Sequence, residues 1–456
     1  MTTTPQMTYS GHTRALLILG LPLVGGHLGQ AAIGITDVVM LGRYSVEALA
    51  AITLGSTFFH VFFLMGSGFA WAVMPMVAAF AAEEDEVGLR RATRMGLWLS
   101  IAFSLICLPV LIFSDPILRA MGQVPEVAAG ASDYLRIAGW GIIPALAVMV
   151  LKSYLAALER TQPVLWIILG SAVVNGLANW VLIFGNLGAP ELGLQGAAIA
   201  SIVTQVFTLI GVAIYARWAL PEHDLFARMW RIDGPMMLRV FRLGWPIGLT
   251  TLSEVGLFSA TAVMMGWLGT VALATHGIVL QLATITFMIH LGLSNAATVR
   301  AGNALGRRDA GHLARGAWVA FALSLITALL TMVGFLTLPD PLISLFMNEN
   351  EAARQDILTL GAVLLILAAL FQLVDGAQVI ALGLLRGVQD TRVPMIMAVV
   401  SYWIIGMPAS YVLGFVLGYG AVGVWLGLVL GLTCAAVMLM WRFWKTIRPR
   451  LAEQFA

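Results

Sequence analysis

Charge is scarce in this sequence of 456 residues. Charged side chains make up 11% of it, against 60% hydrophobic residues, and the mean hydropathy is +0.92. Because soluble proteins carry about 25% charged residues, this chain cannot cover a water-facing surface of its size. The scarcity excludes an ordinary soluble enzyme and a disordered protein, and a net charge of only +2 excludes a nucleic-acid partner. We therefore expect a membrane protein.

Cysteine is also nearly absent. The two cysteines, Cys107 and Cys434, lie in apolar runs and form neither a disulfide framework nor a metal motif. No Ser–His–Asp set, His-rich metal motif or facing pair of catalytic aspartates stands out, which disfavours an intramembrane enzyme. We expect neither catalysis nor a cofactor.

Long apolar runs dominate what is present. A helix crosses the hydrocarbon core with about 20 mainly apolar residues, whereas a barrel strand needs about ten alternating ones. Twelve stretches meet the helical criterion, so the expected fold is an all-α polytopic membrane protein, and the first run is expected to be an uncleaved helix. They run approximately over 15–41, 48–80, 95–113, 134–157, 163–185, 193–216, 241–267, 271–299, 316–338, 357–385, 393–417 and 421–444.

The basic residues predict the orientation. With the N-terminus placed inside, 21 of the 25 Lys and Arg residues fall on the inner side. A missed span reverses the side of every later loop and destroys this bias. The distribution therefore predicts an even number of spans with both termini in the cytoplasm. The four outer basic residues are Arg43, Arg119, Arg136 and Arg354.

The two halves of the chain resemble each other. Leu19-Gly20-Leu21-Pro22 reappears as Leu243-Gly244-Trp245-Pro246, and Gly68 meets Gly292 at the same offset of 224 residues. Six spans per repeat predict two parallel six-helix lobes, an architecture of transporters that move two bundles about a central site. Pro22 and Pro246 are repeat equivalents and candidate hinges, since proline removes a helix hydrogen bond. The expected segments are a tail 1–14, an N-lobe 15–217, a linker 218–240, a C-lobe 241–445 and a tail 446–456.

Three acidic residues lie inside the apolar runs: Asp37, Glu254 and Asp375. A centrally placed charge costs about 2.5–3.5 kcal/mol on insertion scales, so such residues generally mark ion or substrate pathways. No basic residue is expected at matching depth, because Lys152 lies near an inner helix end and can extend to the interface. The three carboxylates are therefore predicted to bind protons or cations.

Polar and aromatic residues recur at helical spacing around these acids. They are candidates for a substrate cavity, while interhelical hydrogen bonding remains an equal alternative for the amides Asn175, Asn179 and Gln30. The candidate cavity residues are Gln30, Asn175, Asn179, Phe258, Gln281, Phe371, Gln372 and Gln378.

Several motifs stand out when they are taken together. They are Phe241-Arg-Leu-Gly-Trp-Pro246, Glu254-Val255-x-Leu257-Phe258, Asp37-x-x-Met40-x-Gly42, Asn175-x-x-x-Asn179-Trp180, Gly188-Ala189-Pro190-Glu191-Leu192-Gly193, and Asp375-x-x-Gln378-Val379 running on to Leu385-Arg386-Gly387. With these motifs the chain resembles the multidrug and toxic compound extrusion (MATE) family, and its bacterial NorM-type branch in particular, over nearly its whole length and in order. Two departures affect ion choice and substrate contacts: Phe371 stands where the branch often has Tyr, and Gly277 where it often has Gln.

The resemblance implies a twelve-helix antiporter of a bacterial inner membrane that exports cationic drugs against inward Na⁺ or H⁺. It assigns cation coupling to Glu254, Asp375 and Asp37, with Glu254 and Asp375 as metal ligands if the ion is Na⁺. The implied partners are small cationic drugs, the coupling ion and membrane lipid, and the protein is expected to be monomeric.

Two other transporter classes are weighed. A lipid-linked oligosaccharide flippase of the same wider superfamily needs a basic cavity for its pyrophosphate substrate, whereas the central charges here are acidic. A major-facilitator transporter also has twelve helices in two parallel halves, but its loop signature is absent from residues 82–94. The multidrug antiporter is therefore preferred.

Overall fold

The computed structural model describes residues 7–347 and 352–455. Within them, twelve helices are long and apolar enough to cross a membrane, which confirms the predicted number of spans. The first eight spans are α1 (Tyr9–Tyr44), α2 (Val46–Ala82), α3 (Glu86–Ile112), α5 with α6 (Pro125–Ala138 and Ile142–Ala157), α7 (Thr161–Phe184), α8 (Gly193–Ala219), α9 (Gly234–Leu268) and α10 (Thr270–Gly306).

The last four spans include two composite ones. A π-helical turn over Val400–Gly406 joins α14 (Arg392–Val399) to α15 (Met407–Tyr411), and another over Arg442–Ile447 joins α16 (Gly420–Trp441) to α17 (Arg448–Phe455). The short α4 (Asp115–Ala120) and α12 (Pro339–Ser344) lie between spans. The remaining spans are α11 (Ala310–Thr337), α13 (Arg354–Gly387), α14 with α15 (Arg392–Val399 and Met407–Tyr411), and α16 with α17 (Gly420–Trp441 and Arg448–Phe455).

Several helices continue beyond the predicted apolar runs. The seventh spanning helix begins at Gly234 rather than near residue 241, and the fourth span begins at Pro125 rather than near residue 134. A helix satisfies its own backbone hydrogen bonds in water as well as in lipid, so it does not have to end where the apolar sequence ends. Apolar length therefore predicts the membrane-embedded part of a helix and underestimates the whole helix.

The helices belong to two compact units. Unit N runs from Gly25 to Gly248, and unit C combines the described chain up to Val24 with that from Leu249 onward. Both divisions fall inside a helix, two residues after Pro22 in α1 and two residues after Pro246 in α9. The sequence-based lobe boundaries instead fall in the segment 218–240. The first part of α9 therefore belongs to the same unit as the helices before it. The first part of α1 belongs to the same unit as the helices that follow α9.

Glycine packing explains this division within each unit. In unit N, a Cβ on Gly68 of α2 would lie 2.3 Å from the carbonyl oxygen of Gly244 and 2.4 Å from the amide nitrogen of Gly248. In unit C, a Cβ on Gly292 of α10 would lie 2.9 Å from the amide nitrogen of Val24. Gly68 and Gly292, and likewise Gly248 and Val24, are 224 residues apart. The repeat found in the sequence therefore recurs as the same close helix contact in both units.

The segment between α8 and α9 is anchored to unit N. The buried Arg94 of α3 donates from Nε to the carbonyl oxygen of Leu225 and from Nη2 to that of Asp224, both at 2.7 Å. Trp98 Nε1 donates to the carbonyl oxygen of Met229 at 2.7 Å, and the Tyr154 hydroxyl bonds His223 Nδ1 at 2.6 Å. The segment predicted as a linker is therefore held by side chains of two spanning helices.

An ion pair at the end of this segment responds to pH. Arg91 of α3 forms a salt bridge with Asp233, and this bond holds the pKa of the Asp233 carboxyl below its usual range. A lowered folded-state pKa contributes stability above the unfolded pKa, and the contribution is lost as the pH falls through the lowered value. Because Arg91 is 51% exposed, the contribution is small.

We expect Arg94→Ala to destabilise unit N. The variant leaves the carbonyl oxygens of the buried Leu225 and the exposed Asp224 without their charged donor, and hydrogen bonds to charged groups contribute about 1.5–3 kcal/mol each. The expected loss is about 2–4 kcal/mol, measured as a lower midpoint of thermal unfolding in detergent. Arg90→Ala is the control, because Arg90 Nη1 reaches the carbonyl oxygen of His223 only at 3.5 Å. Equal midpoints for the two variants contradict the anchoring role of Arg94.

Candidate functional site

The Asp37 carboxylate of α1 is the centre of a polar site in unit N. Its Oδ1 accepts hydrogen bonds from Asn175 Nδ2 at 2.9 Å and Asn179 Nδ2 at 2.6 Å, both on α7. Ser201 Oγ of α8 lies 3.4 Å from Oδ2. Asn179 Nδ2 also lies 3.2 Å from Asn175 Oδ1, which links the two amides. Three neutral groups from two helices thus hold one carboxylate, and no basic side chain in the described ranges forms an ion pair with it.

The position of the two asparagines follows from the helical period of α7. Its buried side chains form one stripe with steps of three or four residues, and Asn175 and Asn179 are the amide members of that stripe. Both are fully buried, and both donate to Asp37. Of the two interpretations left open by the sequence, the structure shows interhelical hydrogen bonding, and substrate contact by these two residues stays a prediction.

Two further carboxylates lie in unit C, on different helices. Glu254 of α9 is half-buried and accepts from Gln378 Nε2 at 3.2 Å, while Asp375 is only 2% exposed and lies one turn before Gln378 on α13. Gln378 Nε2 also bonds the buried hydroxyl of Tyr402. The charge of Glu254 acts on Asp375, so the two acids form one electrostatic site.

Three buried oxygen atoms around Asp375 have no hydrogen-bond partner within the described residues. They are Asp375 Oδ1, Gln372 Oε1 and Gln378 Oε1, all from α13. The nitrogen of each amide is engaged, because Gln372 Nε2 donates to the carbonyl oxygen of Ala283 at 2.9 Å and Gln378 Nε2 donates to Glu254. Buried acceptors without donors are costly, and hard cations prefer oxygen ligands. This set of atoms suits a proton or a hard cation.

Aromatic rings lie beside the acids of unit C. The rings of Phe258 and Phe371 meet edge to face with centroids 5.9 Å apart, and Phe371 meets Trp425 in the same way at 6.0 Å. Phe371 is 2% exposed and Trp425 is fully buried. The half-buried Phe258 is therefore the ring of this group best able to touch a ligand, and the other two support it.

The remaining predicted cavity residues are spread over both units. Gln30 is half-buried on α1 in unit N, whereas Gln281 of α10 is exposed and Gln372 of α13 is fully buried in unit C. Asp375, Glu254 and Gln378 meet in unit C, and Asp37, Asn175 and Asn179 meet in unit N. No group of three or more His, Cys, Asp or Glu side chains suited to a metal ion occurs in the described part of the chain.

Two basic residues depart from the sequence-based expectation. Arg386, near the end of α13, is close enough for its charge to act on Glu254, so the acidic site has a nearby cation. Lys152 reaches a neighbouring helix, where its Nζ donates to Gln30 Oε1 of α1 at 3.0 Å. Distance along a helix predicts the depth of a residue, but it does not reveal how far a long side chain reaches toward a neighbouring helix.

Sequence reasoning also missed Tyr402 and Ser201. Both are hydroxyl residues in apolar helices and touch the acidic sites through Gln378 and Asp37, respectively. Isolated Ser and Tyr are common in spanning helices, so their positions carried no distinguishing pattern. The π-helical turn around Tyr402 is the kind of irregularity that often accompanies functional sites, and it is visible only in the structure.

An open groove on unit N lies away from the Asp37 site. It is lined by side chains of α7 and α8, including Trp166 and Trp218. Trp166 is 65% exposed and is nine residues from Asn175, which places the two on opposite sides of α7 at 100° per residue. The groove is therefore on the outward face of the helix, where interfacial tryptophans commonly lie.

The MatE family model matches residues 22–181 and 246–412. The chain belongs to the MatE family. The two matched segments begin at Pro22 and Pro246, again 224 residues apart, so the family pattern covers both copies of the internal repeat. Members of this family are transporters and not enzymes.

Relatives match nearly the whole chain. A protein of Rhizobium meliloti is 44% identical over 442 residues, covering 96% of this chain and 94% of its own length. One of Agrobacterium fabrum is 42% identical over 438 residues, with the same coverage of each chain. Both carry the name probable multidrug resistance protein NorM. The NorM-type resemblance inferred from the motifs is thereby confirmed.

Solved structures of MATE proteins share the fold. One, a MATE protein in the bent conformation, superposes with a TM-score of 0.87 at 18% identity, covering 97% of each chain. The eukaryotic MATE transporter AtDTX14 gives 0.86 at 17% identity, covering 98% of this chain and all of the other. The predicted all-α, twelve-helix class is confirmed.

Proposed function

We propose that this MatE-family transporter is a cation-coupled multidrug antiporter, which exports organic cations from a bacterium across the inner membrane by alternating access. The observation that carries the proposal is the buried Asp375 carboxylate, on which the charge of Glu254 acts, together with three acceptor oxygens of α13 that have no donor among the described residues. The names of the NorM relatives support multidrug export. The 21 basic residues on one side support cytoplasmic termini.

The coupling ion acts through charge. A proton or Na⁺ entering unit C neutralises part of the negative charge shared by Glu254 and Asp375, which weakens the attraction for a cationic drug. Gln372 and Gln378 supply amide oxygens of the kind that Na⁺ prefers as ligands. The same oxygens can accept a hydrogen bond from Asp375 when its carboxyl group is protonated. Each unit charge that moves down a membrane potential of 100 mV supplies about 2.3 kcal/mol. This free energy can sustain a drug concentration ratio of nearly fiftyfold across the membrane.

Bending of α1 and α9 supplies the movement in this proposal. The compact units divide two residues after Pro22 and two residues after Pro246. Proline removes one backbone hydrogen bond from each helix, so these positions deform more easily than their surroundings. The carboxylate of Asp37 lies on the part of α1 that belongs to unit N and takes part in coupling there.

We expect purified protein in proteoliposomes to move ethidium or a fluoroquinolone only while an ion gradient is imposed. One set of vesicles carries a Na⁺ gradient at equal pH, and another carries a pH gradient without Na⁺. Substrate accumulation under one gradient names the coupling ion. Equal drug flux with and without either gradient contradicts cation coupling. Vesicles that transfer lipid-linked oligosaccharide across the bilayer and move no drug contradict the multidrug function.

A further inference from the structure

Lys152 is the exceptional residue of α6. From Pro144 to Ala157 every residue of this helix is buried except Lys152, which is half-buried. A helix buried on all sides is a central helix of its unit. Lys152 therefore keeps some exposed surface on a helix that is otherwise buried, and Gln30 of α1 meets its ammonium.

The ammonium of Lys152 makes one hydrogen bond within the described residues, and its charge also acts on His27 of α1. Its Nζ donates to Gln30 Oε1 at 3.0 Å, and this amide oxygen is neutral. A lysine ammonium has three donors, so two remain for other acceptors. Charges in spanning segments generally pair with opposite charges or line substrate pathways, and Lys152 has no carboxylate partner in the described part of the chain.

The carboxylate of Asp37 is on the same face of α1 as Gln30, at a fixed distance from it. The two residues are seven positions apart, which places them two turns and about 10 Å apart along the helix. Unit N thus presents an ammonium near one end of this face and a carboxylate near the other. A molecule with a carboxylate at one end and an ammonium at the other matches this arrangement, whereas a simple organic cation uses only Asp37.

We propose that Lys152, positioned by Gln30, binds the anionic group of zwitterionic substrates. The proposal rests on the proposed multidrug function and assigns a substrate class to unit N. The carboxylate of the substrate accepts from Lys152 Nζ, while its cationic end lies toward Asp37. If Lys152 has only a structural role, its bond to Gln30 is sufficient, and a carboxylate on the substrate does not change the binding affinity.

Equilibrium binding to protein in nanodiscs tests this assignment without any ion gradient. The probes are a fluoroquinolone zwitterion and its ethyl ester, which keeps the amine and lacks the carboxylate. We expect Lys152→Gln to raise the Kd of the zwitterion about tenfold or more relative to that of the ester, since hydrogen bonds to charged groups carry such an effect. Lys152→Arg is expected to retain the preference, because it retains the charge.

The chain offers a matched control. Its only other lysine, Lys445, is exposed in the turn between α16 and α17, and Lys445→Gln removes the same charge far along the sequence. An equal loss for zwitterion and ester in Lys152→Gln, or a loss of preference in Lys445→Gln, overturns the proposal. If Lys152→Gln does not fold, the wild-type protein decides: equal Kd values for zwitterion and ester overturn the assignment. Because binding needs no gradient, failure here is distinct from failure of ion coupling.

Discussion

Asp375→Asn is expected to reduce ion-driven drug export to below about a tenth of the wild-type rate, because one neutralised coupling charge forfeits about 2.3 kcal/mol per 100 mV. Asp375 is buried, and its Oδ1 has no donor among the described residues. The asparagine has nearly the same shape and keeps an acceptor oxygen, but it cannot be protonated or bind Na⁺ with a full charge. Export in cells and gradient-driven uptake in proteoliposomes measure the effect.

Glu254→Gln is expected to act in the same direction. Gln378 Nε2 donates to the carboxylate of Glu254 and can donate equally to the amide oxygen of a glutamine, so the fold is preserved. Asp356→Asn is the control, because Asp356 is exposed in the first turn of the same helix as Asp375. Wild-type export by both Asp375→Asn and Glu254→Gln contradicts the assignment of coupling to unit C.

Gly68→Ala is expected to destabilise unit N strongly. The added Cβ would lie 2.3 Å from the carbonyl oxygen of Gly244 and 2.4 Å from the amide nitrogen of Gly248, and backbone atoms cannot move aside as a flexible side chain can. Overpacking generally costs about 1–3 kcal/mol, and this contact belongs at the upper end or beyond. A lower yield of monodisperse protein and a lower thermal midpoint measure the loss.

A glycine in open space is the matched control for Gly68. A Cβ on Gly277 of α10 meets no atom within 4 Å, so Gly277→Ala is expected to be neutral or to stabilise the helix by up to about 1 kcal/mol. Gly292→Ala is expected to fall between the two, since the nearest atom to its Cβ is the movable Val24 Cγ2 at 2.4 Å. Gly68→Ala with the stability of Gly277→Ala contradicts the close packing of α2 on the first half of α9.

The acidic residues show how far sequence reasoning reached into the site. Asp37, Glu254 and Asp375 are predictable from the sequence because each is an ionisable residue in a long apolar run, where its charge needs a compensating partner. Their amide neighbours Asn175 and Gln378 followed from helical spacing. Spacing predicts which residues share a face of one helix, but it does not predict which face of another helix they meet. Spacing therefore does not predict the contacts that Tyr402, Ser201 and Lys152 make with neighbouring helices.

The division into compact units shows the same limit for the fold. Hydrophobic length and a constant offset are properties of the chain alone, so they predict the number of spanning helices, the repeat and the equivalence of Pro22 and Pro246 without a structure. The place where the compact units divide, two residues after each proline, depends on tertiary contacts and is seen only in the folded protein. It depends on close backbone contacts such as that between Gly68 and Gly248. The sequence shows that Gly68 is small, but it does not show which residue packs against it.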